Sequence, residues 1–176
     1  HLIHMRKIDP AAILVLAFNR AVVYEIRDRI RKLFRALGYG SYVNRLDVST
    51  FHSFALRHQQ ANDIYQEDAI GQAVHTFTEI MESDEEFART IGSRYKAVVV
   101  DEFQDMNEDF YGVVKVLLKH CGGGGMVIGD DDQDILTWKR RKWGKKYRRD
   151  CPLDAVHYFS DIRESLDLDV YELTLN

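Results

Sequence analysis

The sequence predicts an α/β fold, a parallel sheet flanked by helices and carrying a small helical insertion. Three observations predict it. Short apolar runs, Ile13-Leu14-Val15-Leu16-Ala17 and Val98-Val99-Val100 among them, have the length and continuity of strands buried on both faces. Each is followed by a stretch with helical periodicity, so the order strand, helix, strand recurs and implies parallel crossovers. Two of the runs end in acids, Asp101-Glu102-Phe103-Gln104-Asp105 and Gly129-Asp130-Asp131-Asp132-Gln133, about 25 residues apart. Strands of an open α/β sheet deliver such residues to its carboxyl edge, where these folds bind ligands.

Taken in order, the strand at 13–17 leads into a helix whose Val22, Ile26, Ile30, Leu33 and Leu37 share one face. Asn19 is placed to cap its start and Gly38 to stop it. Leu46-Asp47-Val48-Ser49-Thr50 reads as a second strand, and Phe51 to Arg57 as the opening turns of a second helix. Residues 59–94 are polar and acidic, rich in helix formers and without strand signal; they form the helical insertion. Lys96 to Asp101 is the next strand, and Phe110, Val113, Val114, Leu117 and Leu118 give the following helix its apolar face. Gly122 to Gly125 cannot extend that helix without a large entropic cost and turn the chain into a strand at Met126 to Ile128.

With 176 residues, 45% of them hydrophobic, the chain has material for one ordinary core. The net charge of −4 does not mark the whole as a nucleic-acid binder, so any such role must be local. Cys121 and Cys151 have no paired spacing, which excludes a disulfide framework or zinc site and fits a reducing, cytoplasmic compartment. No apolar run approaches the roughly 20 residues of a membrane span, so no membrane partner is expected.

The chemistry concentrates in the acids. Asp101 ends an apolar strand, where a bare carboxylate is too costly to bury and must meet solvent, a donor or a metal. One carboxylate fixing Mg²⁺ and a neighbour polarising a water is the arrangement of triphosphate hydrolysis. An acidic helix cap explains the pair equally well in isolation, and the second acidic cluster at the same edge favours the nucleotide reading. A calcium loop beginning at Asp130 fails, because its sixth and twelfth positions hold Ile135 and Arg141 instead of Gly and Glu.

Val100-Asp101-Glu102-Phe103-Gln104-Asp105-Met106-Asn107 and Ile128 to Trp138 resemble motifs II and III of the UvrD/Rep/PcrA-type superfamily 1 DNA helicases. Ala17-Phe18-Asn19-Arg20-Ala21 resembles motif Ia, and Ser49-Thr50-Phe51-His52-Ser53-Phe54 the next DNA-contacting motif. The resemblance implies a RecA-like motor domain that uses ATP and Mg²⁺ to move on single-stranded DNA and unwind duplex. It implies that Asp101 is the metal-associated aspartate, Glu102 the catalytic base and Gln133 the γ-phosphate sensor. Asp130 would join Asp101 and Gln133 at the nucleotide, with Gln104 and Asp105 supporting the coupling. Phe18, Asn19, Arg20, Thr50, Phe51, His52 and Ser53 would line the DNA path, and Trp138 would stack on a base. Residues 1–58 and 95–176 would be the two parts of motor domain 1A, with 59–94 a short 1B-like insertion.

Departures are specific. Leu136 and Lys139 stand where the family has an aromatic residue and an Arg, and no Gly-Lys-Ser/Thr phosphate loop occurs in the 176 residues. The start at His1 and the strand-like Tyr171-Glu172-Leu173-Thr174-Leu175-Asn176 read as cuts at family landmarks, so the expectation is an inactive fragment whose partner is the rest of a helicase chain. The alternatives are a nucleotide-independent DNA-binding module and, more remotely, a Mg²⁺-dependent nuclease. Residues 139–149 hold 8 Lys or Arg in 11 positions, interleaved with Trp143 and Tyr147. That pattern suits either a solvated loop or a track for nucleic-acid phosphates.

Overall fold

The computed structural model describes residues 1–62, 72–147 and 154–171, without the side chains of Trp143 and Tyr147. The α/β class expected from the sequence is the one observed. Four strands, β1 (Ile13–Ala17), β2 (Asp47–Thr50), β3 (Ala97–Val100) and β4 (Gly125–Val127), form a parallel sheet in the order β2-β1-β3-β4. Around it run α1 (Arg20–Ala36), α2 (Phe51–Ala61), α3 (Ala73–Ser83), α4 (Glu85–Gly92), α5 (Glu108–His120), α6 (Thr137–Tyr147) and α7 (Ala155–Leu166).

All five residues of β1 are buried because both faces of the sheet are covered. Leu14 and Leu16, with Val98 and Val100, enter a large core built with α2, α3, α4, α5 and α7; Val15, Ala17 and Val48 face a smaller cluster under α1. The period-two alternation of a strand thus divides one apolar run between two cores. Each large side chain so buried contributes about 1.5–3 kcal/mol. Within residues 59–94 the described stretches are largely helical, and their Val74, Phe77, Met81, Ala88 and Ile91 lie in the same core as the sheet.

The expected caps are present. Asn19 accepts the Val22 N–H at 3.0 Å, and Gly38 follows α1 with φ +79°. One detail differs. Leu33 and Leu37 are exposed, because Ile30 is the last residue of their stripe to join the cluster offered by β1 and β2, and α1 continues beyond it. The basic run is helical over Thr137–Tyr147; Arg148 and Arg149, like the strand-like stretch from Glu172, lie outside the described residues. Among the described residues, no helix is long and apolar enough to cross a membrane.

The strand order places the reversal of winding between β1 and β3, since α1 leads from β1 to β2 on one side while β3 and β4 continue on the other. Open α/β sheets bind ligands in the crevice at this point. Asp101 emerges there, its N–H donating to the Leu16 carbonyl at 3.0 Å.

Candidate functional site

Two loops meet at this edge. Directly after β3, Asp101 Oδ1 accepts the Glu102 N–H at 3.0 Å. Glu102 itself is left-handed, φ 55° and ψ 47°, a conformation that costs a non-glycine residue about 1–2 kcal/mol. Such strain persists only where surrounding contacts enforce it, and it clusters at functional sites. The enforcing contacts are visible: Phe103 N–H donates to Ile128 O at 2.9 Å, and Ile128 N–H to Val100 O at 2.8 Å. They extend the β3–β4 ladder past the end of β4.

Gln104 is the keystone between the loops. It is 3% exposed; its Nε2 donates to Glu102 Oε2 at 2.6 Å, and its Oε1 accepts the Asp130 N–H at 3.1 Å. Asp130 Oδ2 in turn accepts from Gln133 Nε2 at 2.7 Å, and its Oδ1 from the Asp132 N–H at 3.1 Å. Glu102, Gln104, Asp130 and Gln133 are therefore one chain of hydrogen bonds, with no strand between its ends. Gly129 is required beneath it: a Cβ there would lie 2.6 Å from Gln104 Oε1 and 3.0 Å from the Phe103 nitrogen.

The fourth acid of the second loop, Asp134, does different work. Asp134 accepts the Leu136 N–H at 3.2 Å and the Ala155 N–H at 2.8 Å, and pairs with Arg140. Burial works against its ionised form, but these donors outweigh burial and hold its carboxyl below the usual range. Asp105 shifts the other way, raised by burial and then by the Glu102 charge. Asp130 and Asp134 are both engaged with N–H donors. Among the described residues, no group of three or more His, Cys, Asp or Glu is arranged to hold a metal ion.

A ledge of aromatic and basic groups adjoins the acids. Phe110 of α5 is stacked on Phe51 (centroids 4.8 Å apart), and Phe18 and His52 meet it edge-on, each at 5.6 Å. Lys139 Nζ lies 5.1 Å from the centre of the Phe18 ring and 5.6 Å from that of Trp138, which is 60% exposed. Arg20, His52 and Ser53 are exposed.

Two of the expected DNA-lining positions are buried, and a third is engaged in a helix cap. Phe51 is 1% exposed, its ring spent on Phe110, so it supports the ledge from below and presents no face to a strand. Thr50 is 7% exposed; its Oγ1 caps α2 by accepting the Ser53 N–H at 3.2 Å. Asn19 is exposed, but its side-chain oxygen is occupied by the α1 cap. The sequence reading also missed two contributors. Phe110 looked like any apolar residue on a helix face, and Arg140, 1% exposed, was hidden in a run of solvated cations.

The chain matches a known family over most of its length. The family model of the UvrD/REP helicase N-terminal domain matches residues 1–69 and 57–143. The chain is 36% identical to a DNA helicase II of Haemophilus influenzae over 77 residues, 43% of this chain and 10% of that protein. It is 28% identical to the ATP-dependent DNA helicase UvrD1 of Mycobacterium bovis over 101 residues, 54% of this chain and 13% of that protein. Against the ATP-dependent DNA helicase Rep of Escherichia coli it is 34% identical over 62 residues, 35% of this chain and 9% of that protein. The matched region thus spans about a tenth of the length of these curated relatives. From the family match and the four-stranded parallel sheet that carries its motifs, the chain belongs to the UvrD/Rep helicase family.

Proposed function

We propose that this chain is the part of an ATP-dependent DNA motor that joins nucleotide chemistry to a single-stranded DNA track. The observation that carries the reading is the continuous relay Glu102–Gln104–Asp130–Gln133 at the carboxyl edge, beside a ledge of exposed Trp138, Lys139 and His52. The acids fit Mg²⁺ in the manner of triphosphate sites, where one or two carboxylates and the phosphates share the ion and no all-protein cage is needed. Asp101 would hold it and Gln133 would face the γ-phosphate. Bound Mg-ATP would supply a polarised phosphoryl group. Glu102, fixed by Gln104, would accept the proton of the attacking water. Duplex unwinding and the second motor domain belong to the longer protein this reading implies. No phosphate loop lies in the 176 residues, so by themselves they are expected to bind DNA without turning over ATP.

The test is binding of a fluorescent oligothymidylate to the chain across a salt series. Lys139, Arg141, Lys142, Lys145 and Lys146 are exposed on α6, and five phosphate contacts at about −0.7 each contribute a log–log salt slope of up to about −3.5. Trp138→Ala should weaken binding by about 1–3 kcal/mol, the worth of one base stack. Affinity indifferent to both salt and Trp138 refutes the DNA track. Restoring the Gly-Lys-Ser/Thr-bearing upstream sequence together with the second motor domain should yield ATP turnover that Glu102→Gln abolishes. Turnover untouched by that change refutes the assignment of the base.

A further inference from the structure

Arg140 stands apart from every other cation of its helix. Lys139, Arg141, Lys142, Lys145 and Lys146 are exposed, whereas Arg140 is 1% exposed. A buried guanidinium is tolerated only when its charge and its donors are answered. Here they are. Its Nη1 donates to the carbonyls of Gln104 at 3.1 Å and Met106 at 3.2 Å, and its Nη2 pairs with the Asp134 carboxylate. Those acceptors come from different loops. Gln104 and Met106 belong to the segment leaving β3, and Asp134 to the segment leaving β4, where it also holds the first N–H of α7 at 2.8 Å. One planar fork therefore clasps both acid loops and the start of α7.

The residue before it faces the other way. Lys139 reaches the rings of Phe18 and Trp138 on the exposed ledge. Lys139 and Arg140 are consecutive in the first turn of α6, so a shift of one carries the other with it. Gln104, whose carbonyl Arg140 holds, donates to Glu102 and accepts from Asp130.

We propose that Arg140, clamped by Asp134, is a positioning residue that transmits occupancy of the Trp138–Lys139 ledge by single-stranded DNA to the Glu102–Gln104–Asp130 relay. The inference rests on the DNA reading above and adds to it the physical element through which the two sites communicate. A lysine cannot replace the clasp, since one ammonium lacks the planar pair of donors that spans both loops.

Hydrogen exchange of the Phe103 and Asp130 amides, bonded to Ile128 O and Gln104 Oε1, reads the relay directly. In the unaltered chain, saturating oligothymidylate should slow both amides, by about 2- to 30-fold for coupling of ordinary size. Arg140→Lys and Asp134→Asn should each still bind the oligomer yet lose that slowing. A purely structural role would raise exchange in the free variants and leave the DNA-dependent ratio unchanged, so the ratio decides, and either variant that remains folded suffices. A preserved ratio in the variants overturns the proposal, as does DNA binding without slowing in the unaltered chain. Failure of the unaltered chain to bind the oligomer overturns the DNA reading, and this inference falls with it.

Discussion

Replacing Gln104 by glutamate tests the keystone of the site. The amide nitrogen lies 2.6 Å from Glu102 Oε2, so Gln104→Glu puts a second carboxylate where a donor stood. Two carboxylates about 4 Å apart repel by about 4 kcal/mol at the effective dielectric of such sites. The alternative is to protonate one of them, which near pH 7.5 costs about 4 kcal/mol against an ordinary glutamate pKa of about 4.3. Either route destabilises the variant by about that amount. Near pH 5 the proton costs only about 1 kcal/mol, and the protonated side chain can again donate to Glu102 and accept from Asp130. The sign follows from linkage. The folded pKa of the pair is raised above its unfolded value, so the protonated contact stabilises at low pH and is lost as pH rises through the folded pKa. Urea unfolding of the unaltered chain and the variant, near pH 7.5 and near pH 5, should show a gap that closes by about 3 kcal/mol on acidification. Asp105, whose carboxyl burial and Glu102 already push up, titrates in both proteins and largely cancels in the comparison. Gln104→Ala is the control; it should cost about 2–4 kcal/mol at either pH, for the bond to the Glu102 carboxylate and the bond from the Asp130 N–H together. A glutamate variant whose deficit is the same at both pH values, or absent near pH 7.5, refutes the bridge between the acid loops.

Two further expectations concern groups behind the site. His58 is 4% exposed, packed edge-on against Phe54 with centroids 4.5 Å apart. Burial first, then the Arg57 and Arg94 charges, lower its pKa from 6.5 to about 4, with Asp47 opposing. The unfolded chain therefore binds this proton first, and stability falls as pH drops from about 6.5 towards 4, by about 2–3 kcal/mol at pH 4.5. His58→Phe should flatten that part of the urea-derived stability profile; an unchanged slope rules out His58 as its source. Phe110→Ala should cost about 3–5 kcal/mol and also weaken oligothymidylate binding, because Phe18 and His52 lose their shared backing. If affinity measured at full folding matches the unaltered chain, the aromatic ledge is not part of the DNA track.

Much of the fold was legible because its causes are local. Five apolar residues in a row at 13–17, a stripe of Val22, Ile26 and Ile30, and Asn19 and Gly38 at the ends of that helix each specify an element within a few residues of chain. The acids of both loops and the family they resemble were likewise written in short contiguous motifs. What was not legible depended on partners far along the chain. Phe51 seemed ready for DNA until Phe110 came to lie against it, and Leu33 and Leu37 seemed buried until the sheet proved too small to cover them.

Arg140 marks the division most clearly. By itself the sequence determined a dense run of like charges following an acidic loop, with nothing to distinguish one cation from the next. The tertiary structure selected one of them, because among the described cations Arg140 alone faces the two carbonyls and the Asp134 carboxylate that can satisfy a desolvated guanidinium. Periodicity and motif spacing specify what a segment becomes. Which polar groups leave water is decided only when distant loops meet and their donors and acceptors must balance.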